Sequence, residues 1–204
     1  MTFSARDIDV LEGLEAVRRR PAMFIGHETV ERTLRSRLVE FVLASFASGP
    51  PTPAAVRLIV WQGGRLTLAY DGEPLPIRSH EAGAGVAHPE LYAWFLELTA
   101  PSSPLRFGAA VVNALSERLT VSTMRDGVRY RAAFQRGGLV SLLSVRDLQE
   151  VLGASWLTFA PDSAVVPGTV DVGDAERIAA RVAQTANGVS VSVVDRSSEM
   201  PDWF

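Results

Sequence analysis

The stretch "LTVSTMRDGVRYRAAFQRGGLVSLLSV", residues 119–145, decides what kind of fold this chain has. Val128, Tyr130, Ala132 and Phe134 recur at every second position, the period of a strand with one buried face. Asp126-Gly127 and Gly137-Gly138 interrupt the runs, and such pairs supply the positive φ that tight hairpin turns need. The reading is strand, turn, strand, turn, strand: an antiparallel meander.

Working outward, the period changes to that of helices. "FGAAVVNALSERL" (107–119), rich in Ala and Leu, predicts a helix leading into the meander. "HPELYAWFLELTA" (88–100) predicts another, with Pro89 in its first turn, and "PSSP" (101–104) breaks it. Further back, "AVRLIVWQGGRLTLAY" (55–70) reads as a hairpin around Gln62-Gly63-Gly64, followed by a loop at "DGEPLP". Beyond the meander, "SWLTFAPD" (155–162) is a strand, "DAERIAARVAQTA" (174–186) a helix ended by Asn187-Gly188, and "VSVSVVDR" (189–196) a last strand. At the start, Ile8, Leu11, Leu14 and Val17 form a helical stripe closed by Pro21, and "PAMFIG" (21–26) is a short apolar connection. A second helix, with Thr29 as its candidate cap and Gly49 after its last turn, carries "SRLVEFVLASFASG" (36–49). This order predicts an α+β fold: a two-layer sandwich of a mostly antiparallel, mixed sheet with helices on one face. Residues 1–204 read as a single domain, with no linker and no repeat.

Composition excludes several classes. Apolar residues make up 47% of the 204, enough for an ordinary core. A net charge of -3 argues against a broad phosphate-binding surface and against direct DNA binding, although Arg18, Arg19 and Arg20 form a local patch. There is no cysteine, and His27, His80 and His88 lack metal-ligand spacing. No signal-peptide layout and no membrane-length apolar run is present, so the expectation is a soluble, cytoplasmic protein. One residue asks a chemical question. Glu40 stands alone among Leu38, Val39, Phe41, Val42 and Leu43, as a working acid or base or as a plain helix-face charge.

Four stretches, "DIDVLEGLEAVRRRPAMFIG", "FGAAVVNALSERLTV", "RDGVRYRAAFQRGG" and "GVSVSVVDR", resemble in order the N-terminal ATPase domain of the DNA gyrase B subunit and its topoisomerase IV relative, members of the GHKL superfamily. The resemblance implies that family's Bergerat fold, and it supplies four nucleotide motifs to check. The first has a Glu that polarises water and, four residues on, a magnesium-holding Asn. Glu40 matches the Glu, but Ala44 stands at the Asn and Leu43 at the Asp before it. Magnesium carries a large electrostatic part of phosphoryl transfer, and alanine offers it no oxygen. In the second, Asp-x-Gly-x-Gly, the Asp accepts from adenine. Aligned on Gly72, Tyr70 takes that place, Glu73 a usual Arg and Pro74 the second Gly; only a one-residue slip makes Asp71 the acceptor. The third is a long Gly-rich lid. Here "PSSPLRFG" is short, Gly108 alone remains, and Leu105, Arg106 and Phe107 replace glycine and histidine. The fourth, Gly-Thr, appears as Ala154-Ser155.

The resemblance therefore implies a degenerate, stand-alone domain: a pseudo-ATPase with a vestigial Glu40, no catalytic residue, no metal and no expected cofactor. The expectation is also of no following transducer domain, whose lysine in the family reaches the γ-phosphate, and of no cleavage domains. The implied role is a protein-binding or dimerisation module, its partner itself or a gyrase or topoisomerase IV subunit, with no membrane and no DNA. The alternative is a divergent ATP-binding protein or weak ATPase that uses ATP and Mg2+ through Glu40, Asp71 and Ser155. Under the first reading, burying Glu40 unpaired would be expensive, so it is expected to reach water or a cation such as Arg37. The run Arg18–Arg20 is expected to be a solvated helix end or a dimer contact.

Overall fold

The computed structural model describes residues 13–49, 52–81, 87–98, 104–146 and 151–201. In chain order the elements are α1 (Leu14–Arg19), α2 (Ala22–Ile25), α3 (Leu34–Ser48), β1 (Ala55–Trp61), β2 (Leu66–Tyr70), β3 (Ser79–Glu81), β4 (Ala87–Pro89), α4 (Glu90–Leu96), α5 (Pro104–Ala114), β5 (Ser116–Arg125), β6 (Val128–Gln135), β7 (Gly138–Arg146), β8 (Ser155–Pro161), α6 (Val172–Thr185) and β9 (Ser190–Arg196). A seven-stranded sheet runs β7-β6-β5-β8-β2-β1-β9, and β3 pairs separately with β4. Every pairing in the large sheet is antiparallel except β1 with β9. The expected α+β architecture with a mostly antiparallel, mixed sheet is what forms.

Register explains why one face carries the helices. Ala132, Val121, Leu157, Leu68, Leu58 and Val193 stand side by side across six strands; the first five belong to the main core and the partly buried Val193 packs against it. A second row, Phe134, Leu119, Phe159 and Leu66, lies beside it. Since side chains alternate between faces, both rows point the same way. α3 covers them through Leu38, Val42, Leu43 and Phe46, flanked by α5 and α6. The opposite face has a small cluster of its own, Ile59, Trp61, Ala69, Leu152 and Trp156. Burying a side chain of this size is worth roughly 1.5–3 kcal/mol, so the helical face dominates the hydrophobic gain.

Several boundaries differ from expectation. Thr33, not Thr29, caps α3, its side chain accepting from the Ser36 N–H at 3.2 Å; Thr29 instead bridges to Arg32. "PAMFIG" is not a mere connection: Ala22–Ile25 form one helical turn closed by Gly26 at φ 87°. α5 starts earlier, at Pro104, and "SER" belongs to β5, which begins at Ser116. The second meander turn is Arg136-Gly137, at φ 48° and 88°, with Gly138 already in β7. α6 begins at Val172 because Asp171 and Asp174 close a capping box, each side chain accepting from the other's backbone N–H. The stripe positions Ile8 and Leu11 lie outside the described residues.

Candidate functional site at the second long helix

Glu40 lies on the half-exposed flank of α3 and accepts from two arginines. Arg181 of α6 donates Nε at 3.1 Å, and Arg32 donates at 3.4 Å. A cation does meet it, but not Arg37, which donates Nε to the His27 carbonyl. The reason is geometric. Arg37 is anchored to the loop before α3, while α6 brings Arg181 alongside from 141 residues away. Ala44, one turn further on the same flank, is half-buried against the core.

Tyr70 ends β2 and turns its ring toward the helices. It is 5% exposed and packs on Phe46 of α3, ring centroids 5.4 Å apart. Its hydroxyl donates to the Glu73 carbonyl at 3.2 Å. Burial pushes its phenol well above the ordinary tyrosine value, a hydrogen bond with Ser155 offsets part of this, and the nearby Glu73 charge adds to it. Gly72 is clamped beside that ring: a Cβ there would meet Tyr70 at 3.2 Å and Pro53 at 3.3 Å. Asp71, in contrast, faces water, and its Oδ1 accepts from the Ala55 N–H at 2.8 Å, closing the open end of the β1–β2 hairpin. Pro74 is half-buried in the loop that follows.

Ser155 is fully buried at the start of β8. Its Oγ accepts from the Leu75 N–H at 3.1 Å and shares a hydrogen bond with Thr123 Oγ1 at 2.7 Å, tying β8, β5 and the post-β2 loop together. Gly108 brings α5 onto α3 so closely that a Cβ would sit 2.6 Å from Ser45 Cβ. α5 therefore lies directly on the helix that carries Glu40 and Ala44. The side chains of Leu105, Arg106 and Phe107 lie outside the described residues. Among the described residues, no cluster of three or more His, Asp or Glu side chains could hold a metal.

Sequence reasoning missed three participants. Arg32 and Arg181 give Glu40 its cations, and Gly153 lets the chain pass so close to the Tyr70 carbonyl that a Cβ there would sit 2.6 Å from its oxygen. A glycine just before a strand is a hint of such an approach, but the two arginines carry no local signal. Arg18 is not a solvated helix end. It donates to the Ala114 carbonyl at 2.6 Å and to Asp162 at 2.7 Å, locking α1 onto the ends of α5 and β8. Arg19 pairs instead with Glu15 of its own helix. No helix among the described residues is long and apolar enough to cross a membrane.

Comparison with known proteins gives a consistent answer. The chain is 31% identical over 219 residues to the DNA gyrase B subunit of Streptococcus pyogenes serotype M1, covering 97% of this chain and 32% of that protein. It is 30% identical over 210 residues to the DNA gyrase B subunit of Mycobacterium tuberculosis, covering 95% and 30%. For the B subunit of DNA topoisomerase 4 from Rickettsia bellii the figures are 30% over 182 residues, 79% and 26%. The chain thus spans about a third or less of the length of these relatives. Among solved structures it is similar to the 43K ATPase domain of Thermus thermophilus gyrase B in complex with an aminocoumarin, with a TM-score of 0.73, 27% identity, and coverage of 92% of this chain and 50% of that one. No protein-family model matches. In sequence over most of its length this chain is similar to DNA gyrase B subunits, and the arrangement of its sheet and helices is the gyrase-B-like GHKL fold.

Proposed function

We propose that this gyrase-B-like domain is a pseudo-ATPase that works as a protein-binding or dimerisation module, with DNA topoisomerases, or a second copy of itself, as its partner class. The observation that carries the reading is Tyr70. At the position where the resemblance expects a carboxylate for adenine, the chain places a large ring that is 5% exposed and packed on Phe46. Three further features support it. Ala44 has no oxygen for magnesium, Gly108 seats α5 directly on α3, and Glu40 is held between Arg32 and Arg181. A general base needs a free lone pair within reach of water, and each Glu40 oxygen already accepts from a guanidinium. No bound nucleotide or metal is assigned a role in this reading. The divergent-ATPase alternative needs Asp71 and Ser155 at the ligand, whereas Asp71 closes a hairpin and Ser155 joins three buried elements.

Isothermal calorimetry with ATP and with ADP, each with Mg2+, tests the proposal. The expected result is no measurable heat of binding. Micromolar binding of either nucleotide overturns it. Restored binding in the Ala44→Asn, Tyr70→Asp double variant, against none in the parent, is the outcome that assigns the loss to those two positions.

A further inference from the structure

Two asparagines occur in the chain, Asn113 and Asn187, and the fold treats them in opposite ways. Asn113 lies inside α5, is fully buried, and donates its side-chain amide to the Phe95 carbonyl at 2.8 Å. The residue after it, Ala114, is buried as well. Asn187 stands in the exposed turn that leads from α6 to β9, and the residue after it is Gly188. Gly188 has φ 76° and is exposed, and a Cβ built on it would meet nothing within 4 Å. Among the described residues, no acceptor meets the Gly188 N–H and no partner holds the Asn187 amide.

That arrangement has a chemical consequence. The amide carbon of an asparagine is an electrophile, and the nearest nucleophile is the backbone nitrogen of the next residue. Glycine leaves that nitrogen least hindered, because it has no Cβ and its backbone turns freely. An unbonded N–H gives its proton to solvent without first giving up a hydrogen bond. At Asn113 each condition fails. Helix geometry commits the Ala114 N–H to the carbonyl four residues back, the Asn113 amide is already bonded, and the site is buried.

We infer that Asn187 is a site of spontaneous covalent modification, converting to aspartate and isoaspartate, and that the product loosens the edge strand β9. In the first step the deprotonated Gly188 nitrogen bonds to the Asn187 Cγ and the Cγ–Nδ2 bond breaks. The amide leaves as ammonia, taking a proton from water, and a succinimide ring remains. In the second step solvent water adds to one of the two ring carbonyls. Opening at Cγ gives aspartate. Opening at the main-chain carbonyl gives isoaspartate, in which the chain runs through Cβ and Cγ. No oxidant or reductant takes part, and neither step involves the nucleotide motifs.

The turn has little slack for either product. It is flanked by Ala186 and Val189, both buried in the main core. The Val189 N–H donates to the Ala186 carbonyl at 3.4 Å, and the Ser190 N–H to the Ala54 carbonyl at 2.9 Å, where β9 enters its pairing with β1. Isoaspartate lengthens the main chain by a methylene inside this span. Both products put a negative charge just past the C-terminus of α6, where the helix dipole is already negative. β9 ends the large sheet, with β1 as its neighbour there, so a shift of Val189 passes directly into an edge strand.

The full chain, held in warm, mildly alkaline buffer, sampled over days and cut after arginine, tests this. Such cutting places Asn187 in peptide 182–196 and Asn113 in peptide 107–118. Peptide 182–196 is expected to gain the mass difference between an amide and an acid and to split into two products of equal mass, with 107–118 unchanged. Asn187→Gln should lose the gain, because the longer side chain closes its ring far more slowly. Gly188→Ala should slow it severalfold; since φ is positive there, Asn187→Gln decides the case if that variant unfolds. Hydrogen exchange in residues 189–196 should be faster in the converted chain than in the fresh one. Asn187→Asp, which carries the charge on an unlengthened backbone, should show the smaller increase. Absence of a mass gain in 182–196 under conditions where the urea-unfolded chain converts, an equal gain in 107–118, or unchanged exchange of β9 in the converted chain overturns the inference.

Discussion

Two polar corners on the helical side of the sheet make an instructive pair. At the first, Asp162 is buried where β8 ends and receives Arg18 at 2.7 Å and Arg136 at 3.3 Å. Its remaining capacity goes to the Ala164 N–H, and its own N–H donates to the Leu115 carbonyl. At the second, the end of β2 meets α3 and β8, and Tyr70, Ser155 and Thr123 satisfy one another and the loop backbone. The first corner is ionic and holds the framework shut. The second stands where the resemblance would have nucleotide contacts, yet its polar atoms also serve the scaffold. The lesson is that a site's residues can be replaced without damage to the fold when each new polar group finds an internal partner.

Breaking the first corner should have the largest effect. Asp162→Ala leaves Arg18 facing an empty buried position, and removal of one partner of a buried pair typically costs about 3–5 kcal/mol. Urea unfolding followed by circular dichroism measures it. The same corner sets an acid limb. Burial opposes ionisation of Asp162, but the hydrogen bond from Arg18, the Ala164 N–H and the charges of Arg18 and Arg136 outweigh it and hold the carboxyl below the usual carboxylate value. Its stabilising contribution is therefore fully present above the unfolded value of about 3.9 and is lost as pH falls through the folded value. Stability measured from pH 6 downward should fall in that window, and the fall should be shallower in Asp162→Asn.

The second corner should respond next. Tyr70→Ala removes a buried ring and leaves a cavity, at about 3 kcal/mol by comparison with other aromatic truncations. Tyr70→Phe keeps the ring and loses the hydroxyl's bonds to the Glu73 carbonyl and Ser155, about 1 kcal/mol. A Tyr70→Ala variant as stable as the parent would mean that the ring is not part of the core. Gly108→Ala tests the closeness of α5 and α3. A Cβ at 2.6 Å from Ser45 forces a shift, and overpacking of this kind costs about 1–3 kcal/mol. The smallest change is expected from Glu40→Gln. Its pairs with Arg32 and Arg181 are partly exposed, and such pairs contribute about 0–1 kcal/mol. A marked loss of ATP turnover in Glu40→Gln would move the second corner from scaffold to active site.

Much of the architecture was legible because it is written locally. The alternation at Val128, Tyr130, Ala132 and Phe134 and the turn at Asp126-Gly127 needed no distant partner to be read. Boundaries were less so. "ALSERL" reads as one helical run, but the sheet claims Ser116 and Arg118 through pairing with Pro161 and Ala160 of β8. Thr29 reads as the cap of α3 in sequence, but it bridges to Arg32 and Thr33 takes the capping place. In the candidate site, the residue types at Ala44 and Tyr70 were plain. That Ser155 would bind Leu75 and Thr123, or that Arg181 would reach Glu40, was not, since those partners lie 32 to 141 residues away.

By itself the sequence determined most of the helices and strands, that their faces differ in polarity, and that Ala44 offers no side-chain oxygen where the resemblance expects one. Periodicity and residue chemistry are local properties, and they survive removal from the fold. The tertiary structure alone decided that β8 inserts between β5 and β2, that Arg18 meets Asp162 across 144 residues, and that β9 ends the sheet beside β1. Those outcomes depend on strand order and register, which follow from the burial of many distant side chains at once.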